Sequence, residues 1–497
     1  MSSGRVVSES LGYTIIYYTG VLIGMASTLF VYPRDFALYG LYGFLTNAAS
    51  LFTPFITLGF GSVLIRYFPA HSQADRGGGP LFTLVALGYL SGMIFFAGLF
   101  WGLGQRLVSW MPGMDPEARV YILWLLPLTL LYVIYDLIQT CSVNHRRIVM
   151  PASLVNAFKI LLPVIFLLTL SGLLNRTGFI ICVLCYYALI TLFLIAYIRR
   201  INPDFFRLDF SLLRSEASRG MWKFAAFNII SGVSAVLALR IDALMVTAWL
   251  GTVSAGMYVM ALFMSNAVYI PAQSLTEILN PFVAEASKSE DRQGLLNYYR
   301  KSVVTMLLPT LWLSMILWFA FEGLSGWMPN SQAVMDSRGT LGFLLLARIV
   351  DASTGVNHHI INYSKYYKLE SILLLLLAFS NVLLNLLLIP VMGMAGAALG
   401  TLISVGAYNL IKSAAIWSLM GLNPFGREWV QIIATGFTIF LLLTLLPAWG
   451  ASWMNMLLRS GLISVVFFWL ILYRGVSPDI RSFIFKKWNQ ICRMVSG

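Results

Sequence analysis

Ser371-Ile-Leu-Leu-Leu-Leu-Leu-Ala-Phe-Ser-Asn381-Val-Leu-Leu-Asn385-Leu-Leu-Leu-Ile-Pro390-Val-Met-Gly393-Met-Ala-Gly396-Ala-Ala398 decides the fold of this chain. No ionisable residue interrupts it, and a run of ~20 apolar residues is the length a helix needs to cross a bilayer. Asn381 and Asn385 lie one helical turn apart and share a face. Amides in hydrocarbon hydrogen-bond between helices, so packing is their first expected role. Pro390, Gly393 and Gly396 then break one span and open the next. These five residues are assigned to packing and gating.

The rest of the chain reads the same way. Its 497 residues are 59% hydrophobic and only 11% charged, against ~25% charged in soluble domains. That speaks against a cytosolic enzyme or a nucleic-acid binder. About fourteen apolar windows are expected to cross the membrane: 11–32, 39–66, 80–104, 120–142, 151–173, 178–198, 220–249, 255–284, 301–321, 339–361, 369–390, 394–418, 429–449 and 456–473. The expectation is an all-α polytopic membrane protein.

The net charge of +13 reports orientation before it reports partners. With both termini cytoplasmic, most of the 33 Lys and Arg fall inside, Lys365, Lys368 and Lys412 among them. Glu370 is counted with the cytoplasmic acids. His145 and His358 end the fourth and tenth spans as polar caps at the same face, a proton-coupling role being the rarer alternative. Ser477 to Val495 reads as an interfacial amphipathic helix. Four cysteines, including Cys182-x-x-Cys185 inside an apolar run, give no metal or disulfide framework. No cofactor motif occurs.

A shift of 216 residues lays Ala37-Leu-Tyr-Gly40-Leu-Tyr42 over Val253-Ser-Ala-Gly256-Met-Tyr258, and pairs Asp75 with Asp291 and Arg76 with Arg292. Six spans return the chain to its starting side. Residues 1–210 and 211–425 are therefore expected as parallel six-helix lobes related by an axis along the membrane normal. Residues 426–473 add two helices and 474–497 a cytoplasmic tail.

An ionised side chain at mid-bilayer costs about 2.5–3.5 kcal/mol even on lenient scales. Arg240, Asp242, Arg348 and Asp351 are thus functional candidates, lining a cavity or locking helices together. Arg348 and Asp351, three residues apart, are expected to pair. Arg240 and Asp242 face differently, so at least one needs another partner. Lys159 either faces the cavity or snorkels. Asn47 and Asn266, on corresponding spans, and Asn228 offer amides to sugar hydroxyls. Gly20-x-x-x-Gly24, Gly88-x-x-x-Gly92, Gly98-x-x-x-Gly102 and Gly396-x-x-x-Gly400 are spacings for close helix approach.

Three stretches resemble the polysaccharide, or O-antigen-type lipid-linked oligosaccharide, flippases of the MOP superfamily. They are Tyr39-Gly-Leu-Tyr42 with Leu58-Gly-Phe-Gly61 and Arg66; Arg240-Ile-Asp242-Ala-Leu-Met245 with Leu250-Gly251, Ala255-Gly-Met-Tyr258 and Pro281; and the opening stretch with Thr401 and Ser404. Arg219-Gly220-Met-Trp-Lys-Phe-Ala225 lacks the proline that often opens the seventh span there. The resemblance implies two lobes in alternating access, a plasma-membrane location, and a glycan on a polyprenyl diphosphate as cargo. Membrane lipid and polysaccharide-assembly machinery are the partners it implies.

Arginine's planar fork suits a diphosphate. A cation-coupled drug or metabolite exporter of the MATE type stays open through Asp136, Asp242 and Glu277. A membrane glycan polymerase or ligase would want a large external loop with paired acids, and the first external turn offers only Arg34-Asp35. Protons, sodium and the membrane potential all stay open as driving force.

Overall fold

In hydrocarbon a backbone can satisfy its own N–H and C=O groups by forming α-helices, and a chain this apolar does so almost throughout. A computed structural model describes residues 19–74, 78–109, 111–145, 149–447 and 452–472. Among them are helices and no strand. The expected C-terminal amphipathic tail, the first residues of the first window, and the repeat positions Asp75 and Arg76 lie outside the described residues.

The helices are α1 (19–30), α2 (Phe36–Thr57), α3 (Phe60–Ala74), α4 (Gly79–Ser109), α5 (Leu125–Asn144), α6 (Val149–Leu170) and α7 (Arg176–Ile201). Glu216–Lys288 is helical except at Gly251, whose φ of 84° and ψ of 179° divide it into α8 (216–250) and α9 (252–288). There follow α10 (Arg292–Ser325), α11 (Arg338–Ala352), α12 (Asn357–Asn362), α13 (Tyr367–Met392), α14 (Met394–Met420), α15 (Arg427–Leu445) and α16 (Ser452–Leu472).

Within the described residues every expected window falls largely on helix, but the windows are not equal. Among the described residues nine helices are long and apolar enough to cross a membrane, or ten with the bent pair α2–α3. Glu216–Lys288 counts once in that tally although Gly251 breaks it. The window 339–361 is split by the turn before α12. There Gly355 takes φ 59° and packs on Ser302, whose Oγ accepts from the Val356 N–H at 3.1 Å. The chain is thus an all-α, multi-pass membrane protein.

Packing groups the chain into two compact units, one reaching Met260 and the other beginning at Ala261. In the first unit α2 and α3 meet at a 60° bend over Leu58 and Gly59, both at positive φ. A Cβ on Gly59 would stand 2.2 Å from the Ala225 carbonyl oxygen, so α8 rests directly on the bend. At the other end of α8 the segment before α5 caps the break. The Gly113 N–H donates to the Ala248 carbonyl at 2.9 Å, and Asp115 Oδ2 accepts from the Thr252 hydroxyl at 2.6 Å and its N–H at 3.3 Å. A carboxylate at the first residue of α9 satisfies helix N–H groups that have no partner within the helix.

In the second unit α13 and α14 form a tight hairpin. Gly393 turns the chain at φ 60° and ψ −138°, a conformation that favours glycine. Gly396 lies so close to α13 that a Cβ there would come 2.2 Å from the Leu388 carbonyl oxygen. Asn381 and Asn385 are wholly buried beside it, Asn385 Nδ2 donating to Asn381 Oδ1 at 2.7 Å.

Of the four small-residue spacings, one is not used as expected. Gly88 and Gly92 press on Phe60 and Ile56, and Gly400 on Asn385. Gly98 and Gly102 face open space. They lie in the C-terminal half of α4, where Phe95, Leu99 and Trp101 are also exposed. Spacing alone does not say which side of a helix finds a neighbour.

Candidate functional site

The first unit builds its polar site from α2 and α8. Asn47 is buried and donates through Nδ2 to the Gly43 carbonyl at 2.7 Å, which leaves its Oδ1 facing outward. Arg240, exposed on α8, donates through Nη1 to that oxygen at 3.0 Å. An amide fixed by its own helix therefore aims a guanidinium without neutralising it. Tyr42 and Tyr132 lie within reach of the Arg240 charge. Tyr132 and Tyr187 share a hydroxyl–hydroxyl bond of 2.7 Å, and Tyr42 stands edge-on to Phe179 at 6.2 Å. The surroundings of Arg240 thus combine a fixed positive charge, phenol hydroxyls and ring faces.

Asp242, two residues on, is turned the other way. It is buried and accepts from the Tyr258 hydroxyl at 3.2 Å. Asp136 on α5 is similarly engaged by Tyr89 at 2.9 Å. Lys159 stands half-buried on α6. Asn228 donates to its own helix, at the Phe224 carbonyl, at 2.8 Å. It is not drawn into the group around Arg240.

The second unit repeats the arrangement with different helices. Arg348 on α11 donates through Nη2 to Oδ1 of exposed Asn266 on α9, and its guanidinium lies 5.4 Å from the Tyr269 ring centre. Asp351 accepts from Asn409 Nδ2 at 3.0 Å and from the Tyr269 hydroxyl. The pair expected between Arg348 and Asp351 gives way to polar partners on neighbouring helices, with Tyr269 against both. Here too an amide orients an arginine in a helix that carries few charges.

Sequence reasoning missed a group that continues from Asp351. Glu370 in the first turn of α13 is only 5% exposed, and Lys412 on α14 only 2%. Both side chains are enclosed by neighbouring helices. Glu370 Oε1 accepts from the Tyr408 hydroxyl at 2.5 Å and meets His358 Nδ1 at 2.6 Å. The Lys412 ammonium sits 3.9 Å from the Tyr408 ring centre. His358, expected as a polar cap, is tied to a buried acid. The signal was present: Glu370 and Lys412 both fall inside apolar windows, on spans that adjoin in sequence.

Backbone comparison places this fold among solved structures. The chain aligns with a lipid II flippase, MurJ, in an inward-closed conformation, with a TM-score of 0.74 over 93% of this chain and 99% of the other, at 14% identity. It aligns with an inward-facing multidrug-resistance MATE family transporter of the MOP superfamily at 0.63, over 81% and 94%, also at 14% identity. The chain has the MOP-superfamily fold. A third MOP-superfamily transporter, from Pyrococcus furiosus Vc1, aligns at 0.52 over 84% and 95%, at 13% identity. No protein-family model and no curated protein matches the sequence. The MOP fold is therefore visible in the course of the helices at identities where sequence alone gives no match.

Proposed function

We propose that the chain is a flippase that moves a polyprenyl-diphosphate-linked oligosaccharide from the cytoplasmic to the external leaflet for surface polysaccharide synthesis. It does so by alternating access of two six-helix lobes, 1–210 and 211–425, in the plasma membrane with both termini cytoplasmic. One observation carries this reading: each unit holds an arginine aimed by an amide, Arg240 by Asn47 and Arg348 by Asn266. An arginine whose orienting partner is neutral keeps its charge for an anion, and its fork matches phosphate oxygens. The acids nearby, Asp242 and Asp351, are occupied by Tyr258 and by Asn409. Phenol hydroxyls and rings around Arg240 suit sugars. Alignment with a lipid II flippase over nearly the whole chain supports a lipid-linked cargo.

The reading is tested in a deletion strain. Wild-type protein restores surface glycan, Arg240→Ala restores none at equal membrane abundance, and normal glycan display by that variant sinks the role of Arg240. A cation-coupled exporter is the second reading, favoured by Asp136, a half-buried acid on α5. It predicts drug sensitivity and lost dye efflux in the same strain, with glycan unchanged.

A further inference from the structure

Exposure along α9 does not follow the pattern of a lipid-facing helix. From Asn266 to Glu277 three positions are exposed, Asn266, Gln273 and Glu277, and all three are polar. On α13 the exposed positions from Ile372 to Leu387 are all Ile, Leu or Phe, the composition of a face in hydrocarbon. Asn266, Gln273 and Glu277 stand in one stripe, since steps of seven and four residues return to the same side of a helix. The opposite face is buried through Val268, Ala272 and Val283. Apolar exposure on α9 resumes only off the stripe, at Ile278 and Phe282.

The stripe is held at both ends and open between them. Asn266 accepts from Arg348, and three residues past Glu277 the Asn280 Oδ1 accepts from the Tyr363 hydroxyl at 2.7 Å. Among the described residues neither Gln273 nor Glu277 meets a hydrogen-bond or ion-pair partner. An acid without a partner in an apolar span is expensive in lipid, and such residues mark a path for water or solute.

We infer that this stripe, from Arg348 to Tyr363, is a water-lined track for the sugars of the cargo, on which Glu277 selects against acidic sugars. The inference rests on the flippase reading, in which Arg348 takes the diphosphate. Glu277 stands ~16 Å along α9 from Asn266 at the rise of an α-helix, so it meets sugars and not the diphosphate. Gln273 between them offers both a donor and an acceptor, and Tyr363 a phenol at the far end. A carboxylate accepts from two hydroxyls at once. It repels a uronic acid or a sugar phosphate brought beside it, and in a span that repulsion is poorly screened. Neutral glycan therefore gains hydrogen bonds along the stripe, while glycan that is acidic at this distance from its diphosphate is turned away. Specificity of this kind comes from a repulsive element as well as an attractive one.

Two arms test the track on full-length protein. In the first, Gln273→Cys, Glu277→Cys and Ile278→Cys are treated in membranes with a charged, water-soluble thiol reagent, with wild type as the blank. A thiol reacts as the thiolate, which forms in water, so the first two variants are expected to label several-fold faster than Ile278→Cys. Equal labelling of Glu277→Cys and Ile278→Cys overturns the water-lined stripe, whatever the cargo. In the second arm, liposomes with matched protein abundance carry one of two fluorescent polyprenyl-diphosphate oligosaccharides of equal length, one neutral and one with uronic acids in its outer sugars. Wild type is expected to translocate the neutral one several-fold faster. Glu277→Gln is expected to close the gap by raising the acidic rate, and Gln273→Ala to slow the neutral one. Equal rates in wild type, or a gap that persists in Glu277→Gln, overturns the selection by Glu277. Translocation of neither glycolipid by wild type strikes the flippase reading and the sugar assignment with it, and the labelling arm then decides the stripe alone.

Discussion

Gly40 on α2 and Gly256 on α9 meet backbone to backbone. A Cβ on Gly40 would lie 1.8 Å from the Thr252 carbonyl oxygen and 2.7 Å from the Gly256 nitrogen, and one on Gly256 would lie 2.2 Å from the Phe36 carbonyl oxygen. The contact is reciprocal: Phe36 and Gly40 correspond to Thr252 and Gly256 under the 216-residue shift. Gly43 likewise meets Val259, its own counterpart. Self-complementary contacts of this kind are the signature of a two-fold relation. The contacts of these two helices thus follow the same 216-residue shift that aligns their sequences.

Gly40→Ala is expected to destabilise the protein by about 1–3 kcal/mol, the usual cost of overpacking. Gly98→Ala, with nothing near it, is expected to change nothing measurable or to stabilise slightly. Thermal unfolding of the two variants in detergent, followed by tryptophan fluorescence, checks the contrast. Equal unfolding midpoints would remove the close crossing from the account.

Asp115 caps α9 through Thr252, and that hydroxyl holds the Asp115 carboxyl below the usual carboxylate range. A carboxyl lowered on folding contributes stability above its unfolded pKa, and the contribution fades as pH falls through the lowered value. Asp115→Ala is expected to lose about 1 kcal/mol at neutral pH, as other caps do. The unfolding midpoints of wild type and variant should converge in acid. A constant gap across pH would show that the carboxylate charge is irrelevant.

Gly393 turns α13 into α14 at a backbone conformation that side chains strain. Gly393→Ala is expected to cost about 1–3 kcal/mol and to lower membrane abundance, measured by immunoblot against wild type. Unchanged abundance and melting would mean the hairpin has slack.

Much of this fold was legible because apolar length and helix formation are the same constraint in a membrane. The hairpin at Pro390–Gly396 and the repeat around Gly40 and Gly256 follow from local sequence. What was not legible depends on neighbours. The break between α8 and α9 needs only Gly251, where a loop over 250–254 was expected, because Asp115 and Gly113 from a distant segment cap it. Glu370 and Lys412 read as cytoplasmic charges until α12, α13 and α14 bring His358 and Tyr408 to them. Arg240 and Arg348 were legible as costly charges. Their orienting amides, Asn47 and Asn266, read as sugar contacts instead, since a sequence does not say which amide faces which arginine.

Arg240→Lys separates charge from geometry at the first site. Lysine keeps the charge and loses the fork, so transport is expected to fall by roughly ten-fold in Arg240→Lys and below detection in Arg240→Ala. Surface glycan per cell, at matched protein abundance, is the readout. Wild-type display by both variants would leave Arg240 as a helix lock to Asn47.

The most direct measurement reconstitutes purified protein in liposomes that carry a fluorescent polyprenyl-diphosphate-linked oligosaccharide, and follows its loss of protection from a membrane-impermeant quencher. The account predicts protein-dependent translocation in wild type that is abolished in Arg240→Ala. Glycolipid that stays in its leaflet while the same liposomes extrude a cationic dye would contradict it.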